Sequence, residues 1–298
     1  MSSLTRTGAA ARGPGYEVAA VAQSPKPRGV ANRVLGRVLL ALFIAFLVVF
    51  IFGPLLWLAA WAFVTDWTFP HLLPDGLTLR WWKVVFTDPL LGGAIMNSLI
   101  LSPIVVACSA VICLPAAYAF ARFRFWGRRG MLIGLFATNA FPKMGLFVTI
   151  ASLFYFLNLM QTELGIIIVQ LLGTIVFMVW IPAAAFASVP RSLEEAARDA
   201  GAGPIRVFFG VTLRMALPGI LVALIMSFLA SFDESQGTYL VGAPTYMTMP
   251  TQMYTLVLNY PKQVAAVFSI LLAIPSVVLL LLVRKQIMGG QLAEGFQI

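Results

Sequence analysis

The sequence predicts an all-α, polytopic membrane protein with six transmembrane helices and one charged cytoplasmic loop. Three observations predict it. The 298-residue chain is 60% hydrophobic and 10% charged, where ordinary soluble chains carry about 25% charged residues. Its apolar residues fall in long runs of the ~20 positions that an α-helix needs to cross hydrocarbon. Its arginines and lysines gather in alternate connections between those runs. A membrane barrel would instead alternate apolar and polar residues over strands of ~10 positions.

Residues 1–34 are rich in Ala, Gly, Pro, Ser and Arg, lack apolar periodicity, and read as a disordered basic cytoplasmic tail. A membrane domain over 35–290 follows, with spans at about 38–64, 94–120, 131–157, 164–187, 217–240 and 264–283. Residues 284–298 form a cytoplasmic C-terminal tail. The first run is too long, and begins too late, for a cleaved signal peptide. In the second, Ser98, Ser102, Ser109 and Ala110 suit close helix crossings. Cys108 and Cys113 lie on different faces of the same helix, so they pack rather than pair.

In the third run Lys143 is a basic residue at membrane depth, and Asn139 sits one turn before it. A charge there costs ~2.5–3.5 kcal/mol on insertion scales, so Lys143 either faces a cavity or snorkels at a shallower boundary. Pro142 beside it breaks the local helix, as in the discontinuous helices of transporters. Near the outer end of the fifth run, Asp233 and Glu234 form an acidic pair. They face either a solute or the solvent and a docked protein. Asn139, Lys143, Asp233 and Glu234 are therefore the candidate pathway residues.

The formal charge of +9 reports topology. Lys26, Arg28, Arg33 and Arg37 precede span one. Arg122, Arg124, Arg128 and Arg129 follow span two. Arg191, Arg198, Arg206 and Arg214 follow span four, and Arg284 and Lys285 follow span six. The opposite connections hold Arg80, Lys83 and Lys262. Positive residues stay inside, which places both termini and the 190–216 loop in the cytoplasm and makes a nucleic-acid partner unnecessary. The chain contains no P-loop, no H-E-x-x-H and no G-x-S-x-G. Its one histidine, His71, is a loop residue. No catalytic residue, metal site or cofactor is expected, which leaves transport or scaffolding.

The 190–216 loop carries a conspicuous charge density for so apolar a chain. Ser192 and Glu195 have the spacing of a capping box at a helix start. Glu195 and Asp199 share a face, with Arg198 nearby and Ala196, Ala197 and Ala200 favouring helix. Gly201 stops the helix in a left-handed conformation, and Gly203–Pro204 starts a second short helix that carries Val207, Phe208 and Val211. Two short helices joined by a glycine hinge are expected.

The stretch "EEAARDAGAGPIRVFFGVTLRMALPG" resembles the EAA loop of binding-protein-dependent ABC importer permeases. Glu195, Ala196, Ala197, Gly201, Val211 and Leu213 fall at the family's spacing, and Pro218 fits the later proline. Arg214 departs from it, since the family usually has proline there. "NSLILSPIVVACSAVICLPAAYAFARFRFWGRR" and "FPKMGLFVTIASLFYFLNLMQTELG" are similar to the maltose-type branch, and the likeness extends over 36–290. The resemblance implies that Glu195, Ala196, Ala197, Arg198, Asp199, Gly201, Phe208, Val211 and Leu213 dock on an ATPase. It implies a second permease, two ATPase subunits that bind the ATP, an extracytoplasmic solute-binding protein, and a place in the bacterial inner membrane. The solute stays open between a sugar or polyol and a polyamine, because "SFDESQGTYLVGAPTYMTMPTQMYTLV" also looks like spermidine/putrescine-type permeases. A stand-alone secondary transporter and a membrane scaffold are the rival functions.

Overall fold

The computed structural model describes residues 30–65, 67 and 74–288, with side chains over 35–282 apart from Asn139. Most of the expected 1–34 tail, His71 and residues 289–298 lie outside the described residues. Helix α1 (Val30–Trp61) takes in 30–34, and α12 (Lys262–Met288) takes in 284–288. The chain divides into two units, 1–54 and 55–298. The first holds α1 as far as Pro54. From Leu35 to Phe52 nearly every side chain of it is exposed, and Phe46 stacks on Phe50.

The second unit is also helical, and among the described residues it holds no strand beyond an isolated antiparallel bridge between Val64 and Leu77. In order come α2 (Arg80–Thr87), α3 (Pro89–Arg122), α4 (Arg128–Ala137), α5 (Lys143–Phe156), α6 (Glu163–Ser188) and α7 (Arg191–Asp199). Then follow α8 (Pro204–Val207), α9 (Leu213–Phe232), α10 (Gln236–Gly242), α11 (Met249–Asn259) and α12. Asp88 starts α3 by accepting from the Leu90 amide, with Pro89 in the first helical position, where its missing N–H costs nothing. Thr162 starts α6 in the same way through the Gly165 amide.

Helices α3, α6 and α9 pack on one another and form the centre. Cys113, Met178 and Ala223 meet in one apolar cluster, and Ala117, Phe186 and Ile220 meet in the next. The small residues of α3 do lie at contacts: Ser98, Ser102 and Ser109 are buried, and the Ser109 and Thr174 hydroxyls are 2.9 Å apart. Cys108 and Cys113 are both free thiols. A second layer gathers α2, α11 and α12 around Val85, Leu256, Val267 and Phe268. There the Trp81 and Trp82 indoles donate to the carbonyls of Val64 (2.8 Å) and Ala62 (3.1 Å).

Five helices among the described residues are long and apolar enough to cross a membrane: Leu35–Trp61, Pro89–Arg122, Glu163–Ser188, Pro204–Phe232 and Lys262–Leu282. Two of the six expected spans differ from expectation. The run at 131–157 is divided into α4, a 3-10 turn (Thr138–Ala140) and α5. Phe141 is extended (ψ 145°), because the ring of Pro142 excludes the helical conformation from the residue before it. Asn139 and Lys143 therefore do not share one helix. The fifth run begins earlier and ends earlier than 217–240. Its helix is continuous from Pro204 through a π-helical turn (Phe208–Thr212) to Phe232, and 236–242 form the separate α10. The expected second short helix of the loop is thus the first turn of a span.

Candidate functional site

The charged loop starts after α6 ends at Ser188, where the Pro190 carbonyl accepts from the Leu193 amide at 3.2 Å and opens α7. Pro190 is the cap residue and has no side chain to donate or accept. Ser192 therefore lies inside the helix, and the expected Ser192–Glu195 capping box does not form. The C-terminal end follows expectation closely. The Gly201 amide donates to Arg198 O (2.8 Å) and the Ala202 amide to Ala197 O (3.0 Å), with Gly201 at φ +85°. This paired closure satisfies carbonyls that the helix end leaves free, and it needs a residue tolerant of positive φ.

Glu194, which the sequence reading passed over in favour of Glu195, is the buried acid of this loop, at 5% exposure. Its Oε1 lies 2.7 Å from Nη2 of Arg122 and accepts from the Thr212 hydroxyl at 2.6 Å. The same Arg122 nitrogen donates to Val189 O at 3.0 Å. One ion pair thus joins the last residue of α3, the first turn of α7 and the π-helical turn that leads into α9. Burial of this kind is tolerated because each charge has both a counter-charge and hydrogen bonds. An i to i+3 step between Arg191 and Glu194 was the available sequence signal, but it does not say which of two adjacent glutamates turns inward.

The remaining loop residues divide into two sets. Glu195, Ala196, Arg198, Asp199 and Gly201 are exposed, and Ala197 is half-buried. Phe208 and Leu213 are half-buried and pack on the cluster of Ala117, Phe186 and Ile220, the Phe208 ring meeting those of Tyr118 and Phe186. The Phe208 ring lies edge-on to Tyr118 at 5.0 Å, and Val211 is half-buried. The most exposed large apolar side chains of the loop are Ile205 and Phe209, at 74% and 62% exposure. With Gly201, Gly203, Pro204 and Arg206 they line an open groove of about 620 Å³. The i, i+4 spacing of Ile205 and Phe209 was the missed signal. Phe208 and Leu213, expected at the outer contact, are half-buried, and each packs on the chain's own core.

The four candidate pathway residues fall into two places and are not joined. Lys143 is the exposed first residue of α5, just past the break. Asn139 lies in the 3-10 turn before it, with its side chain outside the described residues. Asp233 is the exposed C-cap of α9, where burial of its carboxyl, then the Glu234 charge, raise its pKa above the ordinary carboxylate value. Glu234 has both oxygens occupied. They accept from the Gly237 amide (2.9 Å), the Thr238 amide (2.7 Å) and the Thr238 hydroxyl (2.6 Å), which starts α10. Behind it Gln170 bridges Thr238 (3.1 Å) and Ser231 (2.8 Å) in a buried polar chain. Glu234 is thus a helix cap, a role the expectation of an acidic solute contact did not include. Gln170, an amide in an apolar run, was the legible trace of that network.

Residues 111–287 match a family model described as binding-protein-dependent transport system inner membrane component. The chain is 28% identical over 269 residues to the maltodextrin transport system permease protein MdxG of Bacillus subtilis, covering 88% of this chain and 97% of that one. It is 29% identical over 249 residues to the maltose/maltodextrin transport system permease protein MalG of Yersinia pestis, covering 75% and 81%. Its fold is similar to a chain of a bacterial ABC transporter that imports the acidic polysaccharide alginate. The TM-score is 0.66 at 19% identity, covering 88% of this chain and 99% of that one.

Proposed function

Since this chain belongs to the inner-membrane components of binding-protein-dependent transport systems, we propose that it is a permease subunit of an ABC importer for a sugar or oligosaccharide. The observation that carries the reading is the solvent-facing ridge of α7 and α8. A short capped helix shows Glu195, Ala196, Arg198 and Asp199 to the outside. Beside it, Ile205 and Phe209 stand uncovered at a groove. Exposed apolar side chains next to small residues and charges suit a protein partner. The partner is an ATPase subunit, which binds the ATP; this chain performs no chemistry. ATP binding closes the ATPases, draws α7 of this chain toward that of a second permease, and opens the pair outward. An extracytoplasmic binding protein then delivers the solute. Both termini and the 190–216 loop are cytoplasmic.

Family membership sets aside the stand-alone transporter and the scaffold. The polyamine alternative also falls. The relatives named above carry maltodextrin or maltose, and the carboxylate of Glu234 that would meet a cation is spent on α10. The proposed solute is a neutral carbohydrate. The purified complex in liposomes, with its own binding protein, is expected to take up labelled maltodextrin on ATP addition and to ignore labelled putrescine. Putrescine uptake without maltodextrin uptake defeats the sugar assignment.

Two further outcomes test the surface. Ile205→Asp with Phe209→Asp should lower ATPase recovery on the purified chain about tenfold, ~1.4 kcal/mol of binding, with unchanged membrane insertion. Full recovery removes the groove from the docking surface. On a background without Cys108 and Cys113, a cysteine at Ser192 should resist an impermeant maleimide in intact cells, and one at Thr245 should react. Labelling of position 192 from outside overturns the orientation.

A further inference from the structure

The exposed face of α7 explains how a partner takes hold of this chain, but not how the pull reaches the spans. Gly201 on one side and Val189–Pro190 on the other leave α7 tied to its neighbours by single strands of backbone. Two side-chain ties are added: the exposed Arg191 Nη2 donates to Arg122 O at 3.4 Å, and a buried ion pair lies beneath it. Arg122 is the last residue of α3, Glu194 is in the first turn of α7, and Thr212 closes the π-helical turn before α9. Glu194 is 72 residues from Arg122 and 18 from Thr212 in sequence. The side chains of Arg122 and Glu194 are 8% and 7% exposed. Glu194 is therefore not available to the partner that meets Glu195 and Arg198.

We propose that Glu194 is a positioning residue. Together with Arg122 and Thr212 it forms a buried latch that makes α7, the end of α3 and the start of α9 move as one body. This rests on the reading of α7 as the ATPase-docking helix. Three features of the geometry support it. The pair is shielded from water, so it is not weakened by the salt and solvent that make surface pairs nearly neutral. Arg122's hydrogen bonds run through Nη2 while its Nε is buried without a partner, so once Glu194 is altered the guanidinium keeps its bond to Val189 O but has no counter-charge. The π-helical turn places the Thr212 hydroxyl on the same carboxylate oxygen. Turns of this wider kind often sit at functional positions in helices.

The test uses the complete complex with its ATPase, with spin labels at Ser192→Cys on α7 and at Trp126→Cys in the turn after α3, and Cys108 and Cys113 replaced by alanine. Both label sites are exposed. In the otherwise unaltered complex the 126–192 distance should be narrow and the same without nucleotide and with trapped ATP. In Glu194→Gln it should broaden and change with nucleotide. ATPase recovery should stay within about twofold, while maltodextrin uptake falls about tenfold, a coupling loss of ~1.4 kcal/mol. Thr212→Val, which keeps shape and removes one donor, should give an intermediate distribution and covers the case in which Glu194→Gln does not fold. Arg122→Glu combined with Glu194→Arg should recover part of the uptake, an outcome that a loss of general packing does not produce. The distance readout decides the latch without any transported solute. Narrow, nucleotide-independent distances in both Glu194→Gln and Thr212→Val, with ATPase retained, sink the latch alone. ATPase missing from the unaltered complex sinks the docking reading and the latch with it.

Discussion

Gly201→Val is expected to abolish uptake while the chain still inserts and accumulates normally. Gly201 holds φ +85° at the end of α7, where its amide and that of Ala202 close the helix. A Cβ built there meets nothing within 4 Å, so the effect comes from the backbone and not from crowding. A left-handed conformation costs ~1–2 kcal/mol for a residue with a Cβ, and more for a β-branched one. The relaxed chain would open the closure and redirect α7 relative to the Ile205–Phe209 groove, which shares Gly201 in its wall. We expect ATPase recovery and uptake both to fall at least about tenfold. Gly201→Asn is the matched control, since asparagine tolerates this conformation; it should keep most of the activity. Uptake by Gly201→Val at the level of the unaltered chain would show that the closure of α7 has no part in docking.

Gly165→Ala should produce the largest loss of stability among the described glycines. The added methyl would run into the carbonyl oxygen of Leu159 and stand 3.1 Å from Val241 Cγ1 and 3.2 Å from Thr162 Oγ1. The main obstacle is backbone, held in place on both sides. The Leu159 amide donates to Phe154 O at 2.9 Å, and the Gln161 amide donates to Val241 O at 2.7 Å. Asn158 and Gln161 already have positive φ, at 54° and 57°, so the turn has little freedom left. Overpacking of this kind costs ~1–3 kcal/mol and sometimes more. The turn joins α5 to α6 and anchors α10, so thermal unfolding of the purified chain in detergent should begin earlier. Gly173→Ala on the same helix meets nothing within 4 Å and should be neutral or slightly stabilising. Equal melting of Gly165→Ala and Gly173→Ala would show that the turn yields without cost.

Several features were legible because they depend on neighbours in sequence. Apolar runs of sufficient length mark helices wherever they lie, since a span has no water with which to satisfy its backbone. Gly201 announced the end of α7 because only a residue without a Cβ takes that conformation freely, and Pro142 announced the break in the third run. The EAA spacing identified the family, which the match over 111–287 bears out.

What the tertiary structure decided is which side chains of a legible segment turn inward. Glu194 and Glu195 are chemically identical and adjacent. One is buried because Arg122 and Thr212, far away in sequence, arrive beside it. Phe208 and Phe209 are likewise adjacent, and Tyr118 and Phe186 take the first and leave the second exposed. The Pro190 carbonyl, not the Ser192 hydroxyl, opens α7, and Glu194 is left to tie the helix to Arg122 and Thr212. The fifth span begins at Pro204 because the second loop helix runs straight into it, and it ends at Phe232 because Glu234 caps a new helix instead of extending the old one. Local sequence sets where a helix can form. Burial, and the pairing that makes burial of a charge tolerable, depend on partners that only the folded chain brings within hydrogen-bonding distance.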